Sequence, residues 1–188
     1  RDPSNPQTYY ATTQGTTTFN EKIGEGQGVF KSVDNGYSWF QINSGLDTLE
    51  TNVIAIDPNN SNNLYLGTDD DGLYISKNAG ENWEKVSFPN TPSSYGIGDI
   101  VIDPKNSDIV YVSAYGPLWS KGGDRGLYMT KDGGKTWNNI LFIDEHTGFN
   151  EIHMDPRNPD VLYAASHQRR RHVYAYVGGG PGSGLHKS

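Results

Sequence analysis

Three segments of this chain repeat one order of side chains: SVDNGYSW (32–39), SKNAGENW (76–83) and TKDGGKTW (130–137). Each has a hydroxyl (Ser32, Ser76, Thr130), then an acid or amide (Asp34, Asn78, Asp132), then glycine (Gly36, Gly80, Gly134) and tryptophan (Trp39, Trp83, Trp137). The offsets describe a turn. A carboxylate at the first turn position accepts hydrogen bonds from N–H groups further on, and a hydroxyl before it satisfies another turn group. Glycine takes positive φ without a Cβ clash. Tryptophan then opens a strand and drops a large apolar ring into the packing. All three tryptophans are therefore expected to be buried at equivalent positions.

A second motif recurs out of phase with the first: RDPSNP (1–6), IDPNNS (56–61), IDPKNS (102–107) and MDPRNP (154–159). A strand-like run follows each one: TYYATT, NLYLGT, IVYVSA and VLYAAS. The second repeat is the clearest, since NVIAID, NLYLGT, GLYISK and NWEKVSF alternate in the manner of half-buried strands. Between them lie PNNSN, DDD and NAGE, which are turn chemistry. Each repeat thus reads as four short antiparallel strands, A to D, the unit of a β-propeller blade. The expected fold is all-β, with no helix beyond one or two turns. About three and a half blades form an incomplete ring, with approximate boundaries 1–48, 49–95, 96–147 and 148–188. The first repeat opens at its A–B turn and the fourth stops in strand C. The reading is a segment of a larger propeller, its missing strands and remaining blades supplied by the same or another chain.

The S-x-D-x-G-x-x-W pattern, once per four-stranded unit, resembles the Asp-box (BNR) repeat of sialidases, xyloglucan-cleaving propellers and sortilin-type receptor ectodomains. Asn78 departs from it, standing where the pattern has Asp. The stretch from GPLWSKGGDRGLY to ASHQRRRHVY resembles large bacterial proteins of the sortilin-like or glycosyl-hydrolase-like kind. The resemblance implies a structural role for the Asp-box residues, at a distance from any site.

Composition narrows the functional classes. The 188 residues carry a net charge of −7, which disfavours nucleic-acid and membrane-surface binding. No apolar run approaches the ~18 residues of a membrane span, so no membrane insertion is expected. Without cysteine there is no disulfide framework and no thiolate metal site. The chain begins with Arg1 and shows no signal peptide, which reads as a removed leader or a piece of a longer chain. A secreted, periplasmic or cell-envelope location is expected. No cofactor is implied beyond a weak calcium site at Asp69, Asp70 and Asp71, whose solvated-turn reading is the stronger.

Variation concentrates in the B–C loops: TQGTTTFNEKIGEGQ (13–27), DDD (69–71), YGPLWSKGGDR (115–125) and HQRRRHVYAYVGGGPGS (167–183). Uneven loops on a uniform scaffold are where binding resides. The candidate ligand face is Tyr115, Trp119, Arg125, His167, Arg169, Arg170, Arg171 and Tyr174. Aromatic rings suit sugars or protein contacts, and Arg forks suit carboxylates or phosphates. The adjacent arginines would point to alternate sides of an extended strand, and internal ion pairing competes with ligand binding for them. Glycoside hydrolysis needs two carboxylates across a cleft. Asp124, Asp144, Glu145 and Glu151 are loop carboxylates that no spacing pairs. No catalytic residue is assigned. The reading is a non-catalytic binding or assembly module for a protein or glycan partner. The alternative is part of a sialidase- or xyloglucanase-type glycoside hydrolase with its acids outside this segment.

Overall fold

The computed structural model describes residues 1–15, 24–87 and 96–188. Among these the chain is all strand and turn, without a helix. The first sheet has three strands, β1 (Tyr9–Thr13), β2 (Gly28–Ser32) and β3 (Phe40–Gln41). The second is β4 (Thr51–Ile56), β5 (Leu64–Thr68), β6 (Leu73–Ser76) and β7 (Glu84–Lys85). The third is β8 (Ile97–Ile102), β9 (Val110–Ala114), β10 (Gly126–Thr130) and β11 (Asn138–Leu141). The fourth is β12 (Thr147–Asp155), β13 (Asn158–His172), β14 (Ala175–Gly178) and β15 (Gly184–Lys187). Every pairing is antiparallel. Each sheet packs on the next in chain order, so the four blades form an open arc of a β-propeller.

The period-two pattern is what builds the stack. Along β5, Leu64 and Leu66 face the first blade with Val29, Ile42, Tyr74 and Trp83. Tyr65, between them, faces the third blade with Ile75, Ile100, Val112 and Trp137. Each buried Leu contributes ~2 kcal/mol by leaving water, and Leu66→Asp would place an unpaired charge between two blades. A third cluster, Leu127, Phe149, Ile152, Leu162 and Ala164, joins the third and fourth blades.

The Asp–Gly–Trp turns at 32–39 and 130–137 have matching hydrogen bonds. Ser32 Oγ donates to Asp34 Oδ1 at 2.8 Å and accepts from Gly36 N–H at 2.9 Å. Ser38 bonds Asp34 through both its N–H (2.9 Å) and its hydroxyl (2.5 Å). Thr130, Asp132, Gly134 and Thr136 repeat this at 2.7, 3.0, 2.9 and 2.5 Å. Asn35 and Ala79 take positive φ (62° and 56°), followed by Gly36 and Gly80 at 87° and 88°. In the second blade Ser76 donates to Asn78 at 2.9 Å and Asn82 N–H bonds Asn78 at 3.0 Å. Asn82 offers no hydroxyl to close the turn as Ser38 and Thr136 do.

The expectation that all three tryptophans are buried fails at one of them. Trp83 and Trp137 are 3% and 2% exposed, but Trp39 is 42% exposed. Each turn rests on the blade before it: a Cβ at Gly80 would strike Ile42, and one at Gly134 would strike Ile75. At Gly36 the nearest side chain is Trp39 itself, because no described residue lies against that face.

The A–B turns carry links that the repeats alone did not announce. Asp2 Oδ1 accepts from Ser4 N–H at 2.8 Å within its own turn and from the Ser61 hydroxyl of the next blade at 2.5 Å. Asp57 Oδ1 accepts likewise from Asn59 N–H (2.9 Å) and from the Ser107 hydroxyl of the third blade (2.6 Å). The equivalent positions in the first and fourth repeats are Pro6 and Pro159, which have no hydroxyl.

Candidate functional site

The B–C edge of the second blade is the DDD turn, and its three carboxylates go to different partners. Asp69 accepts from the Tyr115 hydroxyl of the third blade. Asp70 accepts from Thr48 Oγ1 at 3.0 Å. Asp71 accepts from the Tyr74 hydroxyl and pairs with Lys85 Nζ at 2.5 Å. Three carboxylates engaged on separate elements do not make one oxygen cage. Among the described residues no group of three or more His, Cys, Asp or Glu is placed to hold a metal.

Tyr115 is the hinge of this edge. Its ring is covered by the Arg169 guanidinium of the fourth blade, 4.3 Å from the centroid. Burial, and then the bond to Asp69, push its phenol well above the usual range. A Cβ on Gly96 or Gly148 would collide with Tyr115, so glycine at both positions admits the ring and its backbone between two neighbours. Residues read separately as a metal candidate (Asp69) and ligand candidates (Tyr115, Arg169) thus form one internal clamp across three successive blades.

Arg125 is also placed inward rather than toward a ligand. It is 1% exposed. Its guanidinium donates to the carbonyls of Tyr115 (2.6 Å), Pro117 and Ser120 (3.1 Å), so it staples the 115–125 loop from within. Gly116, at φ 66°, leaves room for the Arg125 side chain. Burial pulls the Arg125 pKa down to about 10, helped by the nearby Arg169 charge and opposed by Asp144.

The 167–183 segment is not an irregular loop. β13 continues through Arg171 to His172, turns at Val173 and Tyr174, and returns as β14. Uninterrupted strand-compatible residues from Val161 to Val177 allow this, and the Gly-rich run follows only afterwards. Alternation then separates the arginines. Arg171 lies over the Trp119 ring at 5.1 Å, while Arg170 is exposed on the other face. Trp119 and Tyr174 are 62% and 97% exposed, and Tyr176 is 58% exposed. His167 sits 3.4 Å from Asn150 Nδ2, at the bulge in β12.

The four carboxylates weighed as acids or bases are dispersed. Asp124 is 2% exposed. Asp144 accepts from His146 N–H at 2.7 Å, and although burial raises its pKa, the bonds from His146 and Thr147 bring it below the ordinary carboxylate value. Glu145 pairs with Lys121 at 3.2 Å in solvent. Glu151 lies along β12 beside His153 at 3.7 Å. Parts of the long loop at 13–27 and of the D–A loop at 89–99 lie outside the described residues. The neck of the former closes on Glu50, which accepts from Gly15 N–H (2.6 Å) and Gly26 N–H (3.2 Å).

The family model Sortilin-Vps10, described as "Sortilin, neurotensin receptor 3", matches residues 27–176. The chain belongs to the Sortilin-Vps10 family. Curated relatives of this Sortilin-Vps10 chain include a probable oligoxyloglucan-reducing end-specific xyloglucanase of Neosartorya fischeri, 35% identical over 46% of the chain and 10% of that protein. An oligoxyloglucan-reducing end-specific xyloglucanase of Emericella nidulans is 25% identical over 66% of the chain and 17% of that protein. Among solved structures, the GH74 xyloglucanase of Xanthomonas campestris superposes with a TM-score of 0.67 at 20% identity, over the whole chain and 27% of its own. An ancestral GH74 enzyme gives 0.65 at 23% identity, over 87% of the chain and 23% of its own. These superpositions show the β-propeller fold. The chain spans between about a tenth and a quarter of the proteins it matches.

Proposed function

We propose that this chain is the recognition-face portion of a larger secreted β-propeller, binding a glycan along the B–C edge of its third and fourth blades without supplying the reacting groups. One observation carries the reading. Trp119 stands exposed beneath the Arg171 guanidinium, whereas the carboxylates nearby are buried, capped or paired. An exposed indole held by a stacked cation is a platform for a sugar ring. An acid–base pair instead needs two carboxylates facing a shared substrate. The Asp-box turns, in this reading, are scaffold on the opposite edge.

The test is binding and turnover of xyloglucan oligosaccharides by the full-length protein. Trp119→Ala is expected to weaken binding about tenfold, a loss typical of an interface aromatic. Glu145→Gln and Glu151→Gln are expected to leave turnover unchanged. A hundredfold fall in kcat in either glutamine variant, with unchanged KM, would overturn the non-catalytic assignment. A second reading, that the whole protein is a glycoside hydrolase with its acids on other blades, is favoured by the xyloglucanase names of the relatives. Measurable turnover that both substitutions leave intact is the result it predicts, and binding of the oligosaccharides without any turnover would overturn it.

A further inference from the structure

We infer that β14 is a strand-docking edge that accepts an extended, acidic segment of a partner protein. The inference goes beyond the glycan reading and does not depend on it. β14 is exposed along its whole length and pairs only with β13 among the described strands. The direction of its backbone groups follows from the register. Arg169 N–H bonds His146 O at 3.2 Å and Arg171 N–H bonds Leu118 O at 3.0 Å, so both point away from β14. Their partners across the antiparallel ladder are Gly178 and Tyr176. In such a ladder, opposed residues that do not exchange hydrogen bonds with each other both direct their N–H and C=O outward. Tyr176 and Gly178 therefore offer their backbone groups to the open side, while Ala175 and Val177 bond inward to His172 and Arg170.

Proteins ordinarily guard such an edge with Pro, with Lys or Glu, or with a bulge. β14 reads Ala-Tyr-Val-Gly, with no charge, no proline and no register shift. An apolar edge free of proline, charge and bulge is a template on which extended segments add as an extra strand.

Charge says which segment fits. From Val161 to Ser188 there is no Asp or Glu, yet Arg169, Arg170, Arg171 and Lys187 lie here in a chain of net charge −7. Arg170 and His172 share one face of the hairpin with Val177 and Ala175, and Arg169 and Arg171 share the other with Gly178 and Tyr176. On one face an incoming strand would run beside Arg170, exposed one strand away, while on the other Arg171 lies over Trp119 and Arg169 over Tyr115. That arrangement favours acidic side chains on the guest and repels basic ones.

The experiment uses the full-length protein and a fluorescein-labelled ten-residue peptide of alternating Val and Glu, read by fluorescence polarisation. The controls are an alternating Val–Lys peptide and a Val–Glu peptide N-methylated at every residue, since alternate N–H groups face opposite edges of a strand. Tyr176→Pro removes the outward N–H without touching any β13–β14 hydrogen bond, since proline is tolerated at such an edge position. The Val–Glu peptide is expected to bind saturably, and more weakly at high salt. Tyr176→Pro and N-methylation should each weaken it about tenfold, the worth of one or two backbone hydrogen bonds. Arg170→Glu with Arg171→Glu should weaken it as well, and Tyr176→Ala, which keeps the N–H, should not match the proline variant. The inference fails if the Val–Glu peptide does not bind, or if the Val–Lys peptide binds equally well. It fails too if the N-methylated peptide binds as the parent does, a result that is independent of any folding defect in a variant. Self-association of the protein that Tyr176→Pro abolishes would assign the edge to a second copy instead and overturn the acidic partner. Displacement of the peptide by dextran sulfate, with no effect of Tyr176→Pro, would assign the hairpin to polyanions and overturn strand addition.

Discussion

Trp39 and Trp137 open the last strands of two turns whose hydrogen bonds correspond one for one, down to the indole N–H donating to the carbonyl of Gly36 or Gly134 at 3.0 Å in both. Yet one ring is 42% exposed and the other 2%. The turn is thus specified within eight residues, but the burial of its largest side chain belongs to the blade next door. Trp83 shows the same dependence from the other side: its N–H bonds Ile42 O of the first blade at 2.7 Å. Local chemistry makes the turn, and the neighbouring blade buries its ring.

The sharpest way to break this comparison is to truncate both rings. Trp137→Ala should destabilise by ~3–5 kcal/mol, as for a large buried aromatic, and Trp39→Ala by much less than half of that, measured by urea unfolding. Equal losses would mean that burial between blades contributes little. Next in size is Tyr115→Phe, which leaves the ring under Arg169 but strips the donor from Asp69. A cost of ~1–2 kcal/mol is expected, with Asp69→Asn costing less because its amide oxygen still accepts.

The turns themselves should show in acid. Hydrogen bonds from Ser38 hold the Asp34 carboxyl at about 2, and those from Thr136 do the same for Asp132, against an ordinary 3.8. A carboxyl whose folded pKa is depressed stabilises above its unfolded pKa and loses that contribution as pH falls toward the folded one. Stability should therefore decline between about pH 4 and pH 2, and the decline should flatten in Asp34→Ala with Asp132→Ala. Both substitutions are expected to lower the melting temperature at neutral pH while leaving ligand binding intact. A variant that keeps its stability and loses binding would remove the turns from the scaffold. The smallest effect concerns the imperfect turn. Asn78→Asp alone should change little, because Asn82 has no hydroxyl for the second carboxylate oxygen. Asn78→Asp with Asn82→Thr should raise the melting temperature, and a rise from the single change alone would refute the role given to that hydroxyl.

Fold was legible because its signals are local and repeated. Leu64, Tyr65 and Leu66 alternate between two cores, and three Asp/Asn–Gly–Trp turns mark three blades. The site was less legible because its contacts are long-range and occur once. Arg125 reads as a ligand arginine until Tyr115, Pro117 and Ser120 turn their carbonyls onto it. Asp69 reads as a metal candidate until Tyr115 arrives from the next blade. The hairpin made by β13 and β14 was hidden for another reason. Three adjacent arginines and a glycine run look like a loop, although HVYAYV between them is strand-compatible throughout. The Ser61 and Ser107 links had a faint signal, a serine at one place in the middle repeats where the outer repeats have proline.

The clamp of Asp69, Tyr115 and Arg169 has a consequence for how the chain comes apart. A stack in which each unit touches only its neighbours behaves as a one-dimensional chain of independent steps, free to open from an end. Tyr115 keeps to that rule but carries the contacts to both neighbouring blades on one side chain, so the second, third and fourth blades are tied through a single ring. Among the described residues the first blade packs on the second, through the face of Leu64 and Leu66, through Ser61 and through the bond from Trp83 to Ile42. In this chain hydrogen exchange should accordingly release the amides of β2 at lower free energy than those of β9, and Tyr115→Phe should draw the two toward each other, turning one cooperative block back into separable leaves.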